Sequence, residues 1–364
     1  MTAKGRIGVL TGGGDCPGLN AVIRAVTKSA INLHGMEVFG FLDGFKGLVE
    51  NRYIPLELKT VSGIGHTGGT ILGSSNRDDP FHFLSIKDGQ EVFTDESDRA
   101  IQNMKDLGLE GLIVIGGDGS LHIANHFFKK GINVVGVPKT IDNDLSATDV
   151  TFGFNTAVDT ASEALDRLHT TAESHHRVMI LEVMGRYAGW ISLHAGLSGG
   201  ADVILIPEIP YTVESVSKKI MQRYDQGKKF SIIVVAEGAT PQDGEMVVQK
   251  LVPNSHDQIR LGGVGNKLAQ DIEDLTGIES RVTVLGHLQR GGYPIPYDRI
   301  LSTRYGVAAV ETFTAGHFGC MVSLHGSDIV PVPILDAIET LKKVDPESEI
   351  VHTARAIGIS FGNQ

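Results

Sequence analysis

Three short stretches of this 364-residue sequence hold residue types that handle phosphate and protons. Gly12-Gly13-Gly14-Asp15-Cys16-Pro17-Gly18 joins an apolar run to a helical one. That placement points free backbone N–H groups outward from a helix start and suits an anion. It is neither of two familiar nucleotide loops, because Leu19-Asn20 stands where a Walker loop has Lys-Ser/Thr and Pro17 breaks the GxGxxG spacing. Gly116-Gly117-Asp118-Gly119-Ser120 has the same placement with a carboxylate inside it. Asp118 makes sense there if it holds Mg²⁺ against phosphate charge. A plain helix cap is the other reading of the same residue. Pro138-Lys139-Thr140-Ile141-Asp142-Asn143-Asp144 places a lysine and two carboxylates just beyond an apolar run. Such a set suits proton transfer beside a charged transition state, and it is equally compatible with an ordinary polar loop.

Dispersed cations complete the inventory. Arg177, Arg186, Arg281 and Arg290, with His287, fall at predicted strand edges or in loops. A planar guanidinium matches a phosphate, although each arginine taken singly also reads as a surface ion pair. His175 and His176 have no further ligand at metal spacing and read as solvent-facing or packing residues.

These residues need elements to hold them. The pattern predicts a strand at 7–10, a turn at 12–15, a helix over 18–33 and a strand over 36–42. It continues with a strand at 112–115, a helix over 120–130 and a strand at 132–137. A second set follows: a helix over 156–171, strands at 178–183, 203–206 and 230–235, and helices over 212–225 and 264–275. Apolar runs separated by helices belong to parallel sheets covered on both faces, so the fold class is α/β, doubly wound. Two successive sets predict two domains with the ligand cleft between them. The polar, turn-rich stretch 238–258 reads as a surface excursion.

Composition narrows the field. Glycine is in surplus, with 45 residues, roughly 12% against the ~7% of average chains. Lys and Arg number 32 against 43 Asp and Glu, a net charge of −11, which speaks against sequence-independent nucleic-acid binding. Cys16 and Cys320 are too few for a disulfide framework or a zinc cluster. The N-terminus has no signal pattern and no run approaches the ~18 apolar residues of a membrane span, so a soluble cytoplasmic protein without membrane partners is expected.

Gly116–Ser120, Thr140-Ile141-Asp142-Asn143-Asp144, Glu182-Val183-Met184-Gly185-Arg186 and Gly286-His287-Leu288-Gln289-Arg290-Gly291-Gly292 occur in the order and approximate spacing of the 6-phosphofructokinase family. The chain resembles that family from residue 6 to about 325. The resemblance implies two mostly parallel, three-layer α/β/α domains with the active site in the cleft. One, 1–153 plus about 290–340, would hold the phosphoryl donor; the other, about 154–289 plus 341–364, would hold fructose 6-phosphate. It implies transfer of a phosphoryl group to the sugar's 1-hydroxyl, giving fructose 1,6-bisphosphate in glycolysis, with Mg²⁺ accompanying ATP.

By the same resemblance, Asp142 matches the general base and Asp144 a second carboxylate near metal and donor. Asp118 matches the metal-associated residue, and Gly13, Gly117, Asp118, Gly119 and Ser120 match donor contacts. Thr140, Ile141, Met184, Gly185, Arg186, Glu237, His287 and Arg290 match sugar-phosphate contacts within one subunit, while Lys139 or Arg186 would meet developing charge. Arg177 and Arg281 match arginines that reach a neighbouring subunit's site, which implies a homodimer or homotetramer. Arg77 stands one place later than the arginine of the common ATP enzymes and is carried over as a donor contact.

Two positions bear on the donor. ATP users resemble this chain in having glycine at 119, where pyrophosphate users usually have aspartate that fills the room of the α-phosphate. Lys139 is pyrophosphate-like, since the common bacterial ATP enzymes have glycine there. A missing aspartate admits ATP whereas an added lysine does not forbid it, so ATP is the expected donor and pyrophosphate the alternative. A kinase of the NAD kinase or diacylglycerol kinase type would share Gly116–Ser120 but has no reason to carry the later motifs. A non-catalytic sugar-phosphate or nucleotide sensor would be expected to have lost Asp142 or Asp118, and both are present.

Overall fold

Gly111–Gly116 is buried along its whole length and Val134–Thr140 over all but its last residue, as their unbroken apolar runs predict for strands covered on two faces. The computed structural model describes residues 5–363 apart from 88, 243 and 252–258. The chain divides into two units. The first comprises Met1–Thr140, Leu145–Gly153 and Arg290–Leu341; the second comprises Ile141–Asp144, Phe154–Gln289 and Lys342–Gln364.

In the first unit the sheet runs Asp328–Pro333, Cys320–His325, Val134–Thr140, Gly111–Gly116, Arg6–Thr11, Glu37–Phe41, Tyr53–Leu56, with Phe152–Gly153 added beside Val134–Thr140. The two edge pairs are antiparallel and the interior pairs parallel. From Arg6–Thr11 the chain moves first to one side, to Glu37–Phe41, and later to the other, to Gly111–Gly116. Such a reversal opens a crevice at the carboxyl ends of the two strands, the usual ligand position in open α/β sheets. Leu112 and Val114 join a core with Leu121, Ala124 and Phe127 of the helix Asp118–Lys129, while Ile113 and Ile115 are fully buried on the opposite face.

The second unit is built on four parallel strands in the order Val203–Leu205, Ser231–Ala236, Val178–Val183, Ser280–Val284. Val178, Ile180, Ile233 and Val235 pack with the helices Val213–Asp225 and Val264–Thr276. Met179, Leu181, Ile232 and Val234 are buried on the other face, where Phe154–His175 and Trp190–Ser198 lie against the strands. Among the described residues no helix is long and apolar enough to cross a membrane.

The structure corrects several predicted boundaries. The helix expected over 120–130 begins at Asp118, because Gly117 in extended backbone serves as its N-cap. The strand expected at 132–137 runs on to Thr140, because Lys139 and Thr140 pair with Phe152 and Gly153. Ser280–Val284, at the sheet edge with several exposed residues, has too few apolar positions to read as a strand. The excursion at 238–258 contains Val248–Leu251 paired antiparallel with Ile259–Leu261, and 243 and 252–258 lie outside the described residues.

Candidate active site

Parallel pairing of Arg6–Thr11 with Gly111–Gly116 sets the two glycine loops side by side. Thr11 is in register with Ile115, and the ladder continues into the first loop through Gly12 N–H donating to Ile115 O at 2.9 Å. Gly13 has φ +77°, a left-handed conformation that favours glycine. The loop that carries Arg77 is laced to the same turn: Gly13 N–H donates to Ser75 O at 2.9 Å, and the Ser74 hydroxyl donates to Gly13 O at 2.5 Å. Thr11 donates its hydroxyl to Gly73 O at 2.6 Å. Thr11 and Ser74 therefore shape this glycine turn although neither stands out in sequence. Arg77 itself is exposed.

Lys139 lies under this turn. Its side chain is buried, only 3% exposed, and its Nζ donates to Gly14 O. Ser120, also buried, begins to close the other side from the first turn of its helix. Cys16 is fully buried with its Sγ toward Phe152 O at 3.6 Å. Burial pushes its thiol up to about 12, outweighing the nearby Lys139 ammonium, so it is inert packing. Arg290 belongs to this first unit and donates from Nη1 to Asp15 O at 3.2 Å.

Asp118 opens its helix, with Oδ1 at 3.2 Å from His122 Nδ1 one turn on. The hydrogen bond to Asp118 raises the His122 pKa above its ordinary value. Among the described residues no three His, Cys, Asp or Glu side chains converge on one point. Magnesium keeps several waters and is commonly held by one or two carboxylates plus substrate phosphates. A carboxylate beside a glycine loop at a helix start fits an ion that arrives with a nucleotide.

The second unit presents a crest of three adjacent loops, because Val178–Val183 pairs with a parallel strand on each side. Met184-Gly185-Arg186 leaves the central strand, Glu237 leaves Ser231–Ala236, and the 3-10 turn Gly286–Arg290 follows Ser280–Val284. Glu237 N–H donates to Val183 O at 2.9 Å and Leu285 N–H to Glu182 O at 3.0 Å, so the ladder holds the loop roots in line. Gly185 has φ +129°, and a Cβ there would stand 2.9 Å from Ala188 O, so the turn admits only glycine. The Arg186 guanidinium lies over the Tyr187 ring, 4.9 Å from its centroid. Met184, Arg186 and Glu237 are half-buried, and His287 is exposed. The crest unites polar, cationic and acidic groups able to bind a sugar phosphate.

Ile141 and Asn143 are buried, Asp142 and Asp144 half-buried, and Asn143 takes φ +53°. Lys342 N–H donates to Asp144 O at 2.9 Å, and Trp190 Nε1 donates to Lys342 O at 2.9 Å. The C-terminal segment thus pins this loop, a constraint no local pattern announces. Thr140 ends its strand and accepts the Thr151 hydroxyl at 2.7 Å.

Arg177 and Arg281 lie at the opposite end of the sheet from the crest. Arg177 immediately precedes Val178–Val183, and Arg281 is in register with Met179. Seven steps of ~3.3 Å separate Arg177 from Met184, about 23 Å. Both arginines meet Glu279: Arg177 Nε donates to its Oε2 at 2.6 Å, and Arg281 Nη2 donates to its Oε1. That pairing lowers the Glu279 pKa, with Arg177 the main cause.

Comparison with known proteins identifies the family. The family model described as phosphofructokinase matches residues 6–313. "ATP-dependent 6-phosphofructokinase 2" of Clostridium perfringens is 58% identical, covering 98% of both chains. A Streptomyces coelicolor protein named "Pyrophosphate--fructose 6-phosphate 1-phosphotransferase" is 52% identical over 98% of this chain and all of its own. The structure of Pichia pastoris phosphofructokinase in the T-state matches with a TM-score of 0.79 and 33% identity over 93% of this chain, which spans 38% of that longer one.

Proposed function

The chain belongs to the phosphofructokinase family, and from that premise we propose that it is an ATP-dependent 6-phosphofructokinase. The reaction moves the terminal phosphoryl group of ATP to the 1-hydroxyl of fructose 6-phosphate. The observation that carries the reading is the pairing of Arg6–Thr11 with Gly111–Gly116, which aligns two glycine loops over the buried Lys139.

Phosphoryl transfer needs positioning and charge stabilisation more than covalent chemistry. The backbone of Gly13 and Gly117–Ser120, with Arg77, would take the donor phosphates. Asp118, with Asp144 as a second carboxylate, would hold the Mg²⁺ that accompanies ATP and neutralises phosphate charge. Lys139 and Arg186 would meet charge developing on the transferred group. Met184, Gly185, Arg186, Glu237 and His287 on the crest, with Thr140, Ile141 and Arg290, would bind the sugar phosphate. Asp142 would accept the proton of the 1-hydroxyl as it attacks. Arg177 and Arg281, at the far end of the sheet from their own crest, would serve a neighbouring subunit, so self-association to a homodimer or homotetramer belongs to this reading.

Lys139 and the Streptomyces coelicolor relative favour a second reading, in which pyrophosphate is the donor. Glycine at 119 supports ATP, because it brings no carboxylate against the α-phosphate. A coupled assay with fructose 6-phosphate and Mg²⁺, run separately with ATP and with pyrophosphate, decides between them. Turnover with ATP is expected; turnover with pyrophosphate alone would reverse the assignment.

A further inference from the structure

Gln289 lies inside the turn Gly286–Arg290, between His287 and Arg290, and is fully buried. Its Oε1 accepts the Met184 N–H at 2.7 Å. That bond continues, with a side-chain amide, the backbone ladder between the strands Val178–Val183 and Ser280–Val284. The last backbone rung is Leu285 N–H to Glu182 O at 3.0 Å; beyond it the chains diverge, and Gln289 spans the gap. The other side of the same strand end is also fixed, since the buried Glu182 carboxylate accepts N–H groups from Gly263 and Gly265 at 3.0 and 2.8 Å. The Gln289 amide nitrogen is buried too and meets no hydrogen-bond partner among the described residues. An apolar side chain of the same length would avoid that unpaired donor, so what Gln289 contributes here is its oxygen.

We infer that Gln289 is a positioning residue for the sugar-phosphate crest. It fixes the register of Met184-Gly185-Arg186 against the segment bearing His287 without itself touching the reacting atoms. The inference rests on the proposed binding of fructose 6-phosphate at the crest. Gly185, held in a left-handed turn immediately after Met184, transmits the position of the Met184 amide to Arg186. Loss of the Gln289 oxygen therefore frees a buried N–H and lets the arginine's backbone drift, which weakens acceptor binding and leaves the donor loops untouched.

The test compares Gln289→Met, of similar length but without the acceptor, with Gln289→Glu, which keeps it. Kinetics with fructose 6-phosphate, ATP and Mg²⁺ are measured for each variant, with thermal melting as the check on folding. Gln289→Met is expected to raise KM for fructose 6-phosphate about tenfold or more, with KM for ATP within twofold. Gln289→Glu is expected to stay within about threefold of wild type for fructose 6-phosphate. If Gln289→Met is folded with an unchanged KM, the inference fails. An increase for Gln289→Glu as large as that for Gln289→Met also overturns it, because the effect would then follow the amide nitrogen. Should Gln289→Met not fold, a near-normal KM in Gln289→Glu upholds the inference and a tenfold rise defeats it. Wild-type protein inactive on fructose 6-phosphate would instead remove the functional reading beneath it.

Discussion

Gly119 occupies the second position of the helix Asp118–Lys129, in the first turn, where backbone N–H groups have no partner within the helix. A carboxylate there would add a charge beside Asp118 and against any nucleotide phosphate. Two unit charges 4 Å apart repel by about 4 kcal/mol at an effective dielectric near 20, roughly three orders of magnitude in rate. Gly119→Asp is thus expected to lower kcat/KM for ATP by ~10²–10³. Initial rates with ATP and with pyrophosphate check it, and retained ATP turnover would show that this position does not select the donor. Asp142→Asn removes the proposed base while keeping shape, and is expected to cut kcat ~10²–10⁴-fold with KM for fructose 6-phosphate changed only a few-fold. Steady-state kinetics that leave kcat intact would relieve Asp142 of that role. Lys139 shows the limit of residue-level reading. Its type marked it as useful in a loop, but its place in a strand and its bond to Gly14 O follow from pairing with Phe152, thirteen residues on.

At the level of elements, strand ends do the positioning. The helix Val264–Thr276 starts at Gly263, which has no side chain to cap it. Glu182, at the end of a neighbouring strand and 2% exposed, supplies both cap bonds from a distance of more than eighty residues. Glu182→Gln keeps one acceptor and turns an N–H₂ toward an N–H, at a cost of ~1–3 kcal/mol. For a chain of this size that amounts to roughly 1–4 °C in melting temperature. Calorimetry checks it, and an unshifted melt would mean that the helix start draws its stability elsewhere. A glutamate inside an otherwise apolar strand is the local sequence feature that goes with such a role. The strands Arg6–Thr11, Gly111–Gly116 and Val134–Thr140 and the helices behind the glycine loops were legible because burial on both faces demands long apolar runs, whereas the interior strand Cys320–His325 was not read. The antiparallel edge strands and Ser280–Val284 were not, since an edge has one exposed side and a mixed composition.

At the scale of the whole molecule, the chain contributes to each unit through separated segments, so neither unit is a contiguous stretch. Arg177 and Arg281 at the far end of their sheet make a testable demand on association. If they serve a neighbour's acceptor site, Asp142→Asn and Arg281→Ala subunits are each nearly inactive alone. Mixed by co-refolding, they regain roughly a quarter of wild-type activity, because random pairing of dimers restores one intact site in half of them. Activity that stays at the level of the separate variants would place both arginines in the service of their own chain.

Local order in the chain was enough to mark the chemistry: glycine loops after apolar runs, carboxylates beside a lysine, and four motifs in one sequence order. Spacing and residue type are properties of the chain itself, and they survive in the reading without any fold. Which loops stand next to which was decided only in three dimensions. Hydrogen bonds between strands far apart in sequence bring Gly13 beside the Gly116–Ser120 loop and Met184 beside Gln289. The same sheet geometry that gathers the crest sends Arg177 and Arg281 to its opposite end, because a strand has two ends and a side chain can serve only the nearer one.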